Sequence, residues 1–287
     1  MKNKCKIRIA LILFAIVAVS AAIFVLSYDK LNKTTRYYDN ANNSRLVENI
    51  PQSDKLPENI IEKENAEKID WQALLEKWKV KDVSRIETDK KVVALTFDGG
   101  ANADGVEKIL DILKNNNIKG TFFLTGKFIE KYPDKTGMMI ESGGDIGNHS
   151  YSHPYFTKLT DEEIGKELER TEGELSKLNA TFQPFFRFPY GDRNNQTISA
   201  INSKKYISIR WTVDSLGWEG TSGGMTKEAV ESRVLSKAVP GAIILMHLGT
   251  NSDDRTQLDS EALPQIISSL RSQGYGFVTI TEMLNYQ

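Results

Sequence analysis

The chain alternates between long apolar runs and long polar ones, and the first run is the longest. Lys2, Lys4, Lys6 and Arg8 precede an uncharged stretch from Ile9 to Tyr28, made mostly of Ala, Ile, Leu, Val and Phe. At about 1.5 Å per residue, a helix over that stretch spans the roughly 30 Å hydrocarbon core of a bilayer. The pattern predicts a single-pass anchor at 9–28, with the basic segment 1–8 in the cytoplasm and all that follows outside. The competing reading is a cleaved signal peptide ending near Val19-Ser20-Ala21, which would leave a secreted protein. Apolar side chains continue past that point to Leu26, which favours the anchor. Residues 29–87 read as an extracellular stalk. As far as about residue 66 they are rich in Asn, Lys, Glu and Asp, too polar to offset their ordering entropy by burial. Near the end of the stalk, Asp70 is placed to cap a short helix whose Trp71, Leu74, Leu75 and Trp78 form an apolar stripe.

From Lys91 the spacing changes. Val92-Val93-Ala94-Leu95-Thr96-Phe97 reads as a buried strand ended by the turn Asp98-Gly99-Gly100, and Val106, Ile109, Leu110 and Leu113 mark one face of a following helix. Further strands are predicted at 120–125, 144–147, 185–188, 206–213, 242–246 and 276–280. Helices are predicted at 197–203, 226–238 and 258–273, with a helical stretch broken by Pro133 and a long charged helix opened by the capping box Thr160-Asp161-Glu162-Glu163. Strands alternating with helices over 88–287 predict an α/β domain with a parallel sheet, either a (β/α) barrel or a doubly wound sheet. Asp98-Gly99-Gly100-Ala101-Asn102 matches neither the dinucleotide fingerprint nor the P-loop, which favours the barrel.

Composition narrows the classes. A formal charge of −1 offers no basic surface for nucleic acid, and the single cysteine, Cys5, excludes a disulfide within the chain. Only three histidines occur, and two of them, His149 and His153, stand four apart before Pro154. They are either surface polars or two imidazoles converging on one divalent ion, with zinc favoured, from a helical turn or a tight loop. Proline at 154 pushes His153 out of helical geometry.

The other polar candidates, Asp98, Arg187, Asp214 and His247, each follow or end a predicted strand, where functional residues gather in parallel α/β folds. Asp98 is a candidate general base for water, and Arg187 its charge partner. The turn Arg187-Phe188-Pro189-Tyr190-Gly191 could aim the Tyr190 amide at a developing oxyanion, and His247 is the natural acid for a leaving amine.

Taken in order, Thr96-Phe97-Asp98-Gly99-Gly100, His149-Ser150-Tyr151-Ser152-His153, Arg187-Phe188-Pro189-Tyr190-Gly191, Asp214-Ser215-Leu216-Gly217-Trp218 and Leu245-Met246-His247 resemble the five motifs of the polysaccharide deacetylases, carbohydrate esterase family 4. The resemblance covers about 88–284. It implies a distorted (β/α) barrel that uses a divalent metal to remove acetyl groups, usually N-acetyl, from cell-wall or related glycans. It also implies Asp98 as base, His149 and His153 as metal ligands, Arg187 as tether of the base, and the Tyr190 amide at the oxyanion. Leu245 and Trp218 would line the acetyl pocket, and His247 would be the acid. The sequence departs from the family at two places. Gly99 stands where a second aspartate usually supplies the third metal ligand, and Gly217 where an aspartate usually tunes the acid histidine. Either water, substrate, Asp104 or Asp145 would then complete the metal site, or tight metal binding is lost; Asp214 is the remaining acidic residue of the fourth motif. With the anchor and stalk, peptidoglycan is the expected substrate. The alternatives are a catalytically idle glycan-binding module of the same fold and a deacetylase of xylan, chitin or another exopolysaccharide.

Overall fold

The structure, a computed structural model, describes residues 69–286. The basic segment 1–8, the expected anchor at 9–28 and the stalk up to residue 68 lie outside the described residues. Among those described, no helix is long and apolar enough to cross a membrane.

Strand β2 (Val92–Gly99) is central, pairing in parallel with β3 (Thr121–Leu124) on one side and β8 (Ala242–His247) on the other. From β3 the sheet continues through β4 (Asp145–Asn148), β5 (Phe185–Phe186), β6 (Ile207–Ile209) and β1 (Asp82–Val83). Beyond β8 lies β7 (Val213–Asp214), and β9 (Gly276–Phe277) pairs with the start of β2. All these pairings are parallel, so consecutive strands that pair side by side are joined by crossovers and not by hairpins. The crossovers carry α2 (Val106–Asn115), α3 (Gly126–Lys131), α4 (Pro133–Glu141), α5 (Asp161–Ser176), α6 (Asn195–Ser203), α7 (Lys227–Lys237) and α8 (Leu258–Ser272), with α1 (Trp71–Lys77) before and α9 (Ile280–Leu284) after.

One expected strand, 206–213, is two. β6 and β7 lie near opposite ends of the strand order, with only Arg210, Trp211 and Thr212 between them. Six strand spacings in a flat sheet separate them by roughly 30 Å, whereas the linking chain reaches roughly 14 Å. The sheet must curl. The connector is held on both sides: Arg210 N donates to Val83 O at 2.7 Å and Thr212 N to Ile243 O at 2.8 Å. The result is a curled parallel α/β fold, consistent with a (β/α) barrel.

Period-two alternation then sorts the core. Val93, Leu95 and Phe97 of β2 face outward and pack with Ile109, Leu113, Ile266 and Leu270 of the surrounding helices. Ala94 faces inward with Phe123, Phe185, Ile207 and Ile243. Helix α1, capped by Asp70 accepting from Ala73 N at 3.0 Å, adds Leu74 and Trp78 to that inner cluster beside Val83 and Ile86. Residues 69–87 thus pack as part of the domain. The strand expected at 276–280 stops at Phe277, because Thr279 forms a capping box with Glu282 and starts α9.

Candidate active site

The curl gathers the polar strand ends at one mouth. Asp98 and His247 are register partners on adjacent strands, His149 follows β4, Arg187 follows β5 and Asp214 ends β7. A cavity of about 1060 Å³ opens there, lined by Asp98, His149, His153, Asp214, Leu245 and His247, with Tyr190, Trp211 and Trp218 among its walls. All nine sequence candidates are in this region, Arg187 buried directly behind Asp98.

Arg187 is fully buried and fully engaged. Its Nη1 donates to Asp98 Oδ1 at 2.7 Å, its Nη2 to Arg210 O at 3.1 Å and its Nε to Ile209 O at 3.3 Å, while the guanidinium lies 4.0 Å from the Phe123 ring centre. Burial alone would raise the Asp98 carboxyl. The Arg187 charge outweighs burial and holds Asp98 below the usual carboxylate range. Asp98 is therefore an anion of fixed direction.

The histidine segment is a tight loop, not a helical turn. Ser150 (φ 67°) and His153 (φ 62°) both take left-handed backbone. Hydrogen bonds hold that shape: Asn148 Oδ1 accepts from Ser150 N at 2.9 Å and Ser150 Oγ from His153 N at 3.0 Å. From α5, Glu167 accepts from Tyr151 N at 2.9 Å, Ser152 N at 2.7 Å and Ser152 Oγ at 2.9 Å. His149 Nδ1–H donates to Arg187 O at 2.8 Å, which leaves the Nε2 lone pair facing the site, 3.4 Å from Asp98 Oδ2. The rings of His149 and His153 lie 4.9 Å apart. Burial lowers the pKa of both, and burial with the neighbouring His149 takes His153 down to about 3, so both imidazoles are neutral. Two neutral imidazoles side by side fit two positions around a divalent ion.

A third protein ligand is not among the residues expected to supply it. Asp145 begins β4 at the opposite end of the strand from His149 and accepts from Thr281 N at 2.8 Å. Asp104 is paired with Arg255 at 2.6 Å and accepts from Thr250 Oγ1 at 3.0 Å. Gly99 lies on the outward face of β2, where an added Cβ would meet Leu124 Cδ2 at 2.8 Å and Leu248 Cδ1 at 3.0 Å. Among the described residues, no group of three or more His, Cys, Asp or Glu is placed to hold a metal.

Tyr190 has φ 58° and ψ 4°, a strained conformation for a side chain of its size, and Gly191 follows at φ 65°. This turn aims the Tyr190 ring across the mouth, stacked on Tyr155 at 4.3 Å and edge-on to His153 at 4.4 Å. Trp218, 49% exposed, stands 6.3 Å from the His247 ring, and Leu245 is buried at the cavity floor. Asp214 turns its Oδ1 back to accept from Leu216 N at 2.9 Å. The carboxylate that touches His247 belongs to Asp259, whose Oδ2 accepts from His247 N at 2.8 Å and lies 3.5 Å from Nδ1. Burial works against charging His247, yet the Asp259 contact, with Asp98 and Asp214 farther off, leaves its pKa raised. Asp259, Glu167 and Trp211 went unread in the sequence: each reaches the site from an element whose position depends on the curl.

An anionic carboxylate and a readily protonated imidazole facing one cavity are the groups with which a hydrolase can activate water and protonate a leaving group. Comparison with known proteins agrees. Residues 85–208 match the family model for polysaccharide deacetylase. A peptidoglycan-N-acetylglucosamine deacetylase of Bacillus cereus is 35% identical over 195 residues, covering 68% of this chain and 69% of that relative. The Bc1960 peptidoglycan N-acetylglucosamine deacetylase superposes with a TM-score of 0.66 at 32% identity, covering 75% of this chain and 97% of that one. So does BA3943 from Bacillus anthracis, described as a CE4 family pseudoenzyme, with a TM-score of 0.66 at 30% identity over 74% of this chain and 71% of that one. The chain belongs to the polysaccharide deacetylase family, carbohydrate esterase family 4, whose enzymes act on amide bonds.

Proposed function

We propose that the chain removes acetyl groups from N-acetylated sugars of peptidoglycan. The observation that carries this reading is the opposed pair at the mouth, Asp98 kept ionised and His247 kept protonatable on adjacent strands in register. In the reaction, water attacks the acetamide carbonyl and gives its proton to Asp98. His247 donates a proton to the amine nitrogen as the C–N bond breaks, and acetate and the free amino sugar leave. Arg187 keeps Asp98 ionised and aimed, the Tyr190 amide serves the oxyanion, and Leu245 and Trp218 enclose the acetyl methyl. The aromatic walls supplied by Tyr190, Trp211 and Trp218 suit the faces of sugar rings. His149 and His153 would hold a divalent ion, zinc by ligand type, whose contribution when bound is to polarise the carbonyl. The basic cluster and apolar run at the N-terminus support an anchor at 9–28 that keeps this domain outside the membrane, within reach of the wall.

The trial is direct. Purified full chain incubated with peptidoglycan should release acetate and leave sugars lighter by one acetyl group each, and a panel of xylan, chitin and peptidoglycan ranks the substrates. Replacing Asp98 with Asn should lower kcat by about 10²- to 10⁴-fold. Undiminished turnover in that variant would remove Asp98 as the base. The outward face of Gly99 favours a second reading, a glycan-binding module without turnover. Glycan binding with neither zinc uptake nor acetate release would select it.

A further inference from the structure

Position 217 has no side chain, and the space it leaves is occupied. A Cβ built on Gly217 would lie 2.5 Å from Asp259 Oδ1, 2.6 Å from its Cγ and 2.9 Å from Oδ2. The Asp259 carboxylate thus stands where a side chain at 217 would project, having reached that spot from the first turn of α8. It is 4% exposed, and its Oδ2 accepts from the His247 backbone at 2.8 Å. Two atoms there are sealed from water without a hydrogen-bond partner: Asp259 Oδ1 and His247 Nδ1, the latter 3.5 Å from Oδ2. A buried carboxylate and a buried ring nitrogen 3.5 Å apart have a reason to meet when the ring is charged.

We propose that Asp259 is the positioning residue of His247, holding the ring through Nδ1 so that Nε2 faces the scissile amide nitrogen. The proposal rests on His247 being the acid of the reaction above. The other charged groups facing His247 are otherwise committed. Asp98, on β2, is engaged by Arg187, and Asp214, on β7, caps its own turn at Leu216 N. Nδ1 is sealed, while a quarter of the side chain is open and the residue lines the cavity. Asp259 also fixes the backbone at 247, so one carboxylate sets both the place and the orientation of the imidazole. Glycine at 217 is what makes room for it.

Two variants of the full chain test this. Asp259→Asn should lower kcat at least about 10-fold with KM little changed, since the residue acts through His247 and not on substrate. The basic limb of its kcat/KM profile should move to lower pH, as the imidazolium loses its anion. The double change Gly217→Asp with Asp259→Ala returns a carboxylate to the same space from the other side. It should recover kcat and the limb relative to Asp259→Ala alone, which a merely structural role would not do. The His247 imidazole titration, followed by NMR in a chain with three histidines, should fall in Asp259→Asn and rise again in the double variant. That readout needs no substrate. If wild type releases no acetate, the deacetylase reading falls while the titration still decides the contact. An unmoved His247 titration in Asp259→Asn overturns the proposal, as does an unmoved pH profile.

Discussion

Residues 98 and 99 are neighbours in the chain and strangers in space. Strand geometry turns Asp98 toward the cavity and Gly99 toward the helix layer, in line with Val93, Leu95 and Phe97. Glycine at 99 is therefore a packing residue in this chain, fitted against Leu124, Leu248 and Phe128. Introducing the carboxylate that the family carries there should not rebuild a metal site. Gly99→Asp would bury an unpaired charge among apolar side chains, at a cost on the order of 3 kcal/mol or more. Thermal melts together with zinc titration check this. Tighter zinc binding at undiminished stability would show that position 99 turns inward after all. Arg187 teaches the same lesson from the other side. A buried ion pair adds little net stability, but removing one partner strands the other, so its use is to fix the charge and direction of Asp98.

At the scale of elements, the metal-binding prospects of His149 and His153 depend on the helix that holds the loop between them. Three hydrogen bonds to Glu167 tie Tyr151 and Ser152 to α5, and the left-handed residues on either side, Ser150 and His153, would relax without them. Glu167→Ala should cost on the order of 2–3 kcal/mol of stability, about 1 kcal/mol for each bond lost. Zinc affinity should weaken about 10- to 100-fold, the usual range when outer supports of a metal site are removed. Calorimetric titration of the variant reads this out, and an affinity equal to wild type would mean that the loop holds its shape unaided.

Across the whole molecule, chemistry sits at one end of the curled sheet and cohesion at the other. Asp145 marks the second end: buried at the start of β4, it accepts from Thr281 N at the head of α9. Burial raises its pKa more than the hydrogen bonds made to it lower it. A carboxyl raised on folding keeps its proton to higher pH in the folded chain. Its contribution is complete below the unfolded carboxyl pKa and is lost as pH rises through the folded one. Asp145→Asn mimics the protonated form at every pH. Wild type should therefore match the variant near about pH 4 and become progressively less stable than it as pH rises through the raised carboxyl value. Melting curves across that range measure the difference, and a gap that widened toward acid would reverse the assignment. Acetate release should be the same in both proteins, because Asp145 faces away from the mouth.

The sequence by itself determined the alternation of strands and helices, the motif residues at strand ends and the family they define. These are local matters: Val92–Phe97 is apolar enough to be a buried strand in any parallel fold, and Thr160 and Glu163 form their capping box within one turn. A pairing that depends on residue type was legible for the same reason, as with Asp98 and Arg187, whose contact charge burial alone anticipates. Tertiary structure decided what lies next to what. Breaking 206–213 into β6 and β7 curls the sheet, and only the curl brings Trp211 to the cavity wall. The side that residue 99 faces, the distance of Asp145 from His149 and the capture of His247 by Asp259 follow from register and packing across many residues. No spacing in the chain encodes that the carboxylate near His247 would come from α8, filling the space that glycine leaves at 217.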